Sequence, residues 1–154
     1  MSFKYGFRTK KHKGNWEAWA VIKTVEISLD EAKKMIAAGQ LLARQNGWRM
    51  AIAVVDSGGH PILVERMDGA QRSASVISVE KAWTAVMYQR PSKAFEDVVM
   101  AGRPVVMTLP GVTTVEGGLP VVVDGQYIGA IGVSGAKSPE DSQVAKAGLD
   151  ALTA

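Results

Sequence analysis

Cysteine is absent from all 154 residues, which excludes a disulfide framework, a thiolate nucleophile and any Cys-based zinc or iron–sulfur site. Histidine is nearly absent: His12 and His60 alone are too few convergent ligands for a metal site built solely from protein. No stretch approaches membrane-spanning length without a charge or a turn, and the opening MSFKYGFRTKKHKGNW lacks the apolar run of a signal peptide. These features predict a cytoplasmic protein with no membrane contact. Nucleotide motifs are missing as well. Gly129, Gly132 and Gly135 do not have the G-x-G-x-x-G spacing, and Gly135-Ala136-Lys137-Ser138 is not a phosphate loop. Ser73, Ser75 and Ser134 have no evident histidine–acid relay, which argues against a serine hydrolase.

What is present, 47% hydrophobic and 21% charged residues, fits one globular domain with its own core. The net charge of +3 is unevenly spread. Lys4, Arg8, Lys10, Lys11 and Lys13 precede the first acid, Glu17, leaving 13 basic against 15 acidic residues in the remainder. A near-neutral body argues against nucleic acid as a partner. Phe3, Tyr5, Phe7, Trp16 and Trp19 share the basic stretch, and rings of that size are seldom left in water, so the arm is expected to dock, most simply onto a neighbouring subunit. We divide the chain into a basic, aromatic arm over residues 1–27, with a strand over 16–27, and a domain over 28–154.

Within the domain, Ser28-Leu29-Asp30-Glu31 is a capping box that opens a helix ending at Asn46-Gly47. A strand over 50–56 turns at Ser57-Gly58-Gly59 and returns over 60–67. Ser73 or Ser75 caps a second helix, with Val76, Val79, Trp83 and Val86 on one face, that closes at Arg90-Pro91. A short helix over 92–101 follows, then loop and short strand over 105–114. A second hairpin turns at Asp124-Gly125, a type I′ signal, and Gly129 and Gly132 in its returning strand imply close approach by a backbone or ligand. Ser138-Pro139-Glu140-Asp141 opens a last helix that buries Val144, Ala147, Leu149 and Leu152. Strands joined by tight turns predict an α+β domain, an antiparallel sheet flanked by helices.

Candidate site residues cluster at turns. His60 follows two glycines at a hairpin tip, as an exposed turn residue or as a metal or proton-transfer group. Arg66 and its charged neighbours end a strand, as a solvated ion pair or as a bidentate carboxylate ligand, and Lys81 on a mostly apolar helix supplies a second positive charge. Residues 110–118 form the loop expected to face a ligand, with Thr113, Thr114 and Glu116 offering hydrogen bonds and Gly117 and Gly118 exposing backbone amides.

The segments VVDSGGH, RMDGA, EKAWTA with a following proline, GGLPVVVDG and GAIGVSGA together resemble the GlcG/HbpS-like family, which includes the C-terminal domain of PduO corrinoid proteins. The resemblance covers about residues 28–152. It implies a profilin-like layering of sheet and helices, high-order homo-oligomers such as octamers, and haem binding in some members. Haem needs one or two axial side chains, with most affinity from apolar contact, so few histidines suffice. His60 is then the metal ligand, with Met67, Tyr88 and Met107 as other axial candidates, and Arg66 and Lys81 take the carboxylates. The first helix, residues 28–46, contains no histidine, unlike some relatives.

Three functions follow as expectations. The first is a cytoplasmic oligomer, accessory to a catabolic pathway, that binds haem or a related planar anionic ligand through His60, Arg66, Lys81, Thr113, Thr114, Gly117 and Gly118. The second is a small isomerase, deaminase or hydrolase acting on an unsaturated carboxylic acid such as an aromatic ring-cleavage product, with Glu116 as general base and Lys81 or Arg66 stabilising an enolate or carboxylate. The third is a structural oligomer that stabilises partner enzymes.

Overall fold

Two tight turns set the sheet. Strand β1 (Ala51–Asp56) returns as β2 (Pro61–Arg66), and β3 (Gly118–Val123) returns as β4 (Gln126–Ser134) through Asp124 and Gly125. Both loop residues have positive φ, 49° and 77°, as a type I′ turn requires. Antiparallel pairing of β1 with β4 joins the hairpins into one sheet of order β2-β1-β4-β3. The computed structural model of the chain describes residues 24–152. The docking of the basic arm and most of the strand expected over 16–27 lie outside that range. Residues 24–28 form no strand: Ile27 is buried in the core, and the Glu26 carboxylate accepts from the Ser57 amide at 3.2 Å.

Side-chain alternation divides the buried residues of β1 between two layers. Ile52 and Val54, with Ile131 and Val133 of β4, pack on α1 (Leu29–Gln45) and α4 (Ser138–Asp150) through Met35, Ile36, Val144 and Ala145. On the other face, Val55 and Ala130 meet Ala82, Ala85 and Val86 of α2 (Ala74–Met87). Each fully buried Val or Ile contributes about 1.5–3 kcal/mol of transfer free energy, so burial on both faces of β1 makes it the strand most committed to the fold. The Ser28 hydroxyl accepts from Glu31 N–H while the Glu31 carboxylate accepts from Ser28 N–H, so the expected capping box forms.

Three expectations need correction. The face of α2 that meets the sheet carries Ala74, Ser78, Lys81, Ala82 and Ala85 beside Val86, whereas Val76 is 60% exposed and Val79 and Trp83 are half-buried. The cause is the sheet beneath it. A side chain at Gly132 would overlap the Ser78 carbonyl oxygen and stand 2.6 Å from the Ala82 nitrogen, and one at Gly118 would overlap the Lys81 carbonyl oxygen. With backbone this close to backbone, the helix must present mainly small residues inward, and its apolar stripe turns outward. Helix α4 starts one residue early, capped at Lys137, whose N–H donates to the Glu140 carboxylate, and it buries Asp141, Val144, Ala145 and Gly148. Residues 105–114 contain no strand; Pro104–Thr108 is a 3-10 turn following α3 (Lys93–Met100). Among the described residues, no helix is long and apolar enough to cross a membrane.

Candidate functional site

The loop over residues 110–118 is held from below by polar side chains of α2 and α3. Thr84 Oγ1 accepts from Thr113 N–H at 2.8 Å, Tyr88 O–H donates to the Pro110 carbonyl at 2.8 Å, and the Glu96 carboxylate accepts from Glu116 N–H at 2.7 Å. Ser92, fully buried, donates to the Val115 carbonyl at 2.7 Å and accepts from Gly118 N–H at 2.9 Å. Each of these satisfies a backbone group that has no ladder partner, which fixes a loop that would otherwise be mobile.

Trp83 stands between this loop and the first hairpin. A side chain begun at Gly59 would lie 2.5 Å from Trp83 Cδ1, and one begun at Gly111 2.6 Å from Cζ3, so both turns need glycine to receive the indole. Tyr88 meets Trp83 edge-on at 6.2 Å, and Phe95 meets Tyr88 at 5.1 Å. Beside Trp83 lies an open cleft of about 310 Å³ lined by Val79, Glu80, Trp83, Gly111, Val112 and Thr113. That volume is at the lower end of the roughly 300–1,000 Å³ of small-molecule sites.

His60 belongs to the turn that packs on Trp83. Its Nδ1 lies 3.2 Å from Asp56 Oδ1, which also accepts from the Gly58 and His60 amides at 2.9 and 2.8 Å. Burial pushes the Asp56 carboxyl upward, but the two amides and the imidazole outweigh it and hold the group below its usual range. A carboxylate on Nδ1 leaves Nε2 as the outward nitrogen, the arrangement that orients metal-binding histidines. The side chain is 81% exposed, open to an incoming ligand.

The remaining candidates are dispersed. Lys81 is 1% exposed, and its ammonium donates to Asp141 Oδ2 at 2.7 Å, so its charge is committed inside the fold and does not face a ligand. Asp141 also accepts from Ala136 N–H at 3.1 Å; burial pushes its carboxyl up, against the pull of Lys81 and Ala136. Gly117 and Gly118 are buried against this pair, and the Gly118 amide is taken by Ser92, so they do not offer amides to a ligand as expected. Arg66 is exposed at the end of edge strand β2, with β1 and β4 between it and β3, against whose first residue Lys81 of α2 packs. The sheet thus separates the two cations expected to act together. Glu116 is half-buried and lies beside Glu96 through its amide, apart from Arg66, so the expected catalytic trio is not assembled in one chain. Thr113 lines the cleft; Thr114, half-buried, follows it. The sequence reading missed Trp83 and Val79, whose signal was an apolar stripe taken for core, whereas Val112 lies in the loop it expected to face a ligand. It also missed Asp141, 60 residues from its partner. Among the described residues, no three His, Asp or Glu side chains gather as a metal site.

Comparison with known proteins agrees with this architecture. Protein GlcG of Escherichia coli K12 is 49% identical over 110 residues, covering 71% of this chain and 82% of GlcG. The crystal structure of Klebsiella pneumoniae protein ORFY superposes with a TM-score of 0.82 at 32% identity, over 90% of this chain and 99% of that one. The PduOC–heme complex superposes with a TM-score of 0.75 at 27% identity, over 82% and 95% of the two chains. A family model described as "Haem degrading protein HbpS-like" matches residues 27–150, and the chain therefore belongs to the HbpS-like family.

Proposed function

We propose that the protein is an oligomeric, cytoplasmic haem-binding protein, accessory to a catabolic pathway, that takes the tetrapyrrole at the Trp83 cleft. The observation carrying this reading is a largely apolar cleft beside Trp83, with the adjoining turn, packed on the same indole through Gly59, carrying a histidine whose Nδ1 is held by a carboxylate. The residues fit part of the group. Val79, Trp83 and Val112 would supply an apolar wall and Thr113 a hydroxyl, and His60, on the turn packed against Trp83, would offer Nε2 as an axial donor. Haem supplies an iron that accepts one or two such donors. Among the described residues the carboxylates find no cation in this cleft, whose one charged lining residue there is Glu80. Arg66 is six residues along β2 from His60, about 20 Å at 3.3 Å per residue, too far to serve the same tetrapyrrole in one chain.

Self-association would extend the apolar wall that the single chain offers. A cleft of about 310 Å³ covers only part of a tetrapyrrole. The outward residues Val76, Met87, Met100, Val105 and Met107 offer apolar surface for a second copy, with Met100 80% exposed. An octamer is the assembly we expect. Haemin titration followed by absorbance, with native mass on the same sample, tests the reading. A stoichiometric Soret shift that Trp83→Ala and His60→Ala each weaken at least tenfold supports it, and a non-saturable shift rejects it.

A further inference from the structure

At the far end of β2 from His60, a second cleft of about 360 Å³ is lined by Gln40, Arg44, Glu65, Arg66, Met67 and Asp68. Gln40 and Arg44 are one helical turn apart on α1, so their side chains are neighbours. Glu65 accepts from Gln40 Nε2 at 2.7 Å, and Gln40 Oε1 accepts from Arg44 Nη2 at 2.9 Å. This relay fixes one donor of the Arg44 guanidinium and engages one oxygen of the Glu65 carboxylate, leaving the other Arg44 donors unassigned. Arg66, exposed beside it, has no hydrogen-bond or ion-pair partner among the described residues.

We propose that this cleft is a binding site for a small carboxylate, distinct from the Trp83 cleft and independent of haem binding. The guanidinium plane presents paired donors that match the two oxygens of a carboxylate, a geometry an ammonium does not provide. Arg66 makes the bidentate contact and Arg44 approaches from the helix side, held by Gln40 and Glu65. Asp68 limits the charge the site accepts. Two arginines and two carboxylates, Glu65 and Asp68, line the cleft, so it carries no net formal charge, which suits a single carboxylate and disfavours a phosphate dianion. Met67, half-buried at the rim, provides apolar contact for a short carbon chain. The Gln40–Glu65 bond is the feature that separates this site from a scatter of surface charges, since it orients a cation toward the cleft without pairing with it directly.

The test is a titration of the protein with acetate, butyrate and inorganic phosphate at low ionic strength. It follows the arginine side-chain N–H signals and the Met67 amide by nuclear magnetic resonance. Saturable shifts at residues 66–68 with acetate or butyrate, at least tenfold weaker for phosphate, are the expected result. Arg66→Met abolishes them, and Gln40→Leu weakens them several-fold, while haemin affinity and native mass stay as in the parent. Shifts that never saturate overturn the proposal. So does saturable binding that survives both Arg66→Met and Arg44→Met. Because the haemin readout is separate, failure here leaves the Trp83 reading standing, and failure there leaves this one standing.

Discussion

Replacing Lys81 by Met removes the ammonium from a pair in which both side chains are almost wholly buried, 1% and 3% exposed. Asp141 then keeps only the Ala136 amide as partner. Breaking a buried pair from one side costs about 3–5 kcal/mol, because the remaining charge has neither water nor a counter-ion. With a urea m-value of about 1–3 kcal/mol/M, that loss moves the unfolding midpoint down by about 1 M or more. The pair joins helices on opposite faces of the sheet, past Gly117, where a side chain would stand 3.0 Å from Lys81 Nζ and 2.9 Å from Asp141 Cβ. Lys81→Met with Asp141→Leu restores an apolar contact of similar volume and is expected within about 1 kcal/mol of the parent, or above it. The assay is urea unfolding of parent, both single variants and the double variant at one protein concentration, read by tryptophan fluorescence. The single variant also acquires a pH signature. Burial already raises the Asp141 carboxyl above its unfolded value of 3.8, and losing Lys81 raises it further. Its contribution is therefore fully present below about pH 3.8 and lost as pH rises through the folded value. A loss below about 1 kcal/mol in Lys81→Met, or a double variant as unstable as the sum of the singles, would refute the reasoning.

Other expectations test separate parts of the account. Gly132→Ala forces a methyl into the Ser78 carbonyl and is expected to cost about 3 kcal/mol or more, seen as a fall in melting temperature with loss of α2 packing. Asp56→Asn should flatten the acid dependence of the first hairpin. With its carboxyl held below the usual value of 3.8, Asp56 stabilises the turn above that pH and releases it as pH falls through the lower folded value. Hydrogen exchange at the Gly58 and His60 amides, followed from about pH 5 down to about pH 2, through and below the ordinary carboxyl range, reports this, and an unchanged profile in Asp56→Asn counts against it. Ser92→Ala leaves the Gly118 amide and the Val115 carbonyl without their buried partner, so a loss of about 1–3 kcal/mol and faster exchange at Gly118 are expected in denaturation and exchange measurements.

The parts of the fold written in local chemistry were legible. Ser28 and Glu31 announce their capping box, and Asp124-Gly125 announces a turn that needs two positive φ angles. Where contacts depended on what lies opposite, local patterns misled. The Val76–Val79–Trp83 stripe has the spacing of a buried face, yet Gly118 and Gly132 bring the sheet backbone so close that Ser78 and Ala82 go inward. That inversion exposes the wall of the candidate cleft. Lys81 read as a cation for an anionic ligand because its partner is supplied by α4 after the second hairpin, at a distance in sequence that no periodicity reports. The turn carrying His60 was visible, whereas its apposition to Trp83 through Gly59 exists only once the sheet has formed.

The most direct test of the central claim is the haemin-titrated absorbance spectrum of the parent protein beside His60→Ala and Trp83→Ala. The account predicts a saturable Soret shift in the parent, a changed band position and at least tenfold weaker binding in His60→Ala, and weaker binding in Trp83→Ala. A parent spectrum that never saturates, or one that both substitutions leave unchanged, would contradict it.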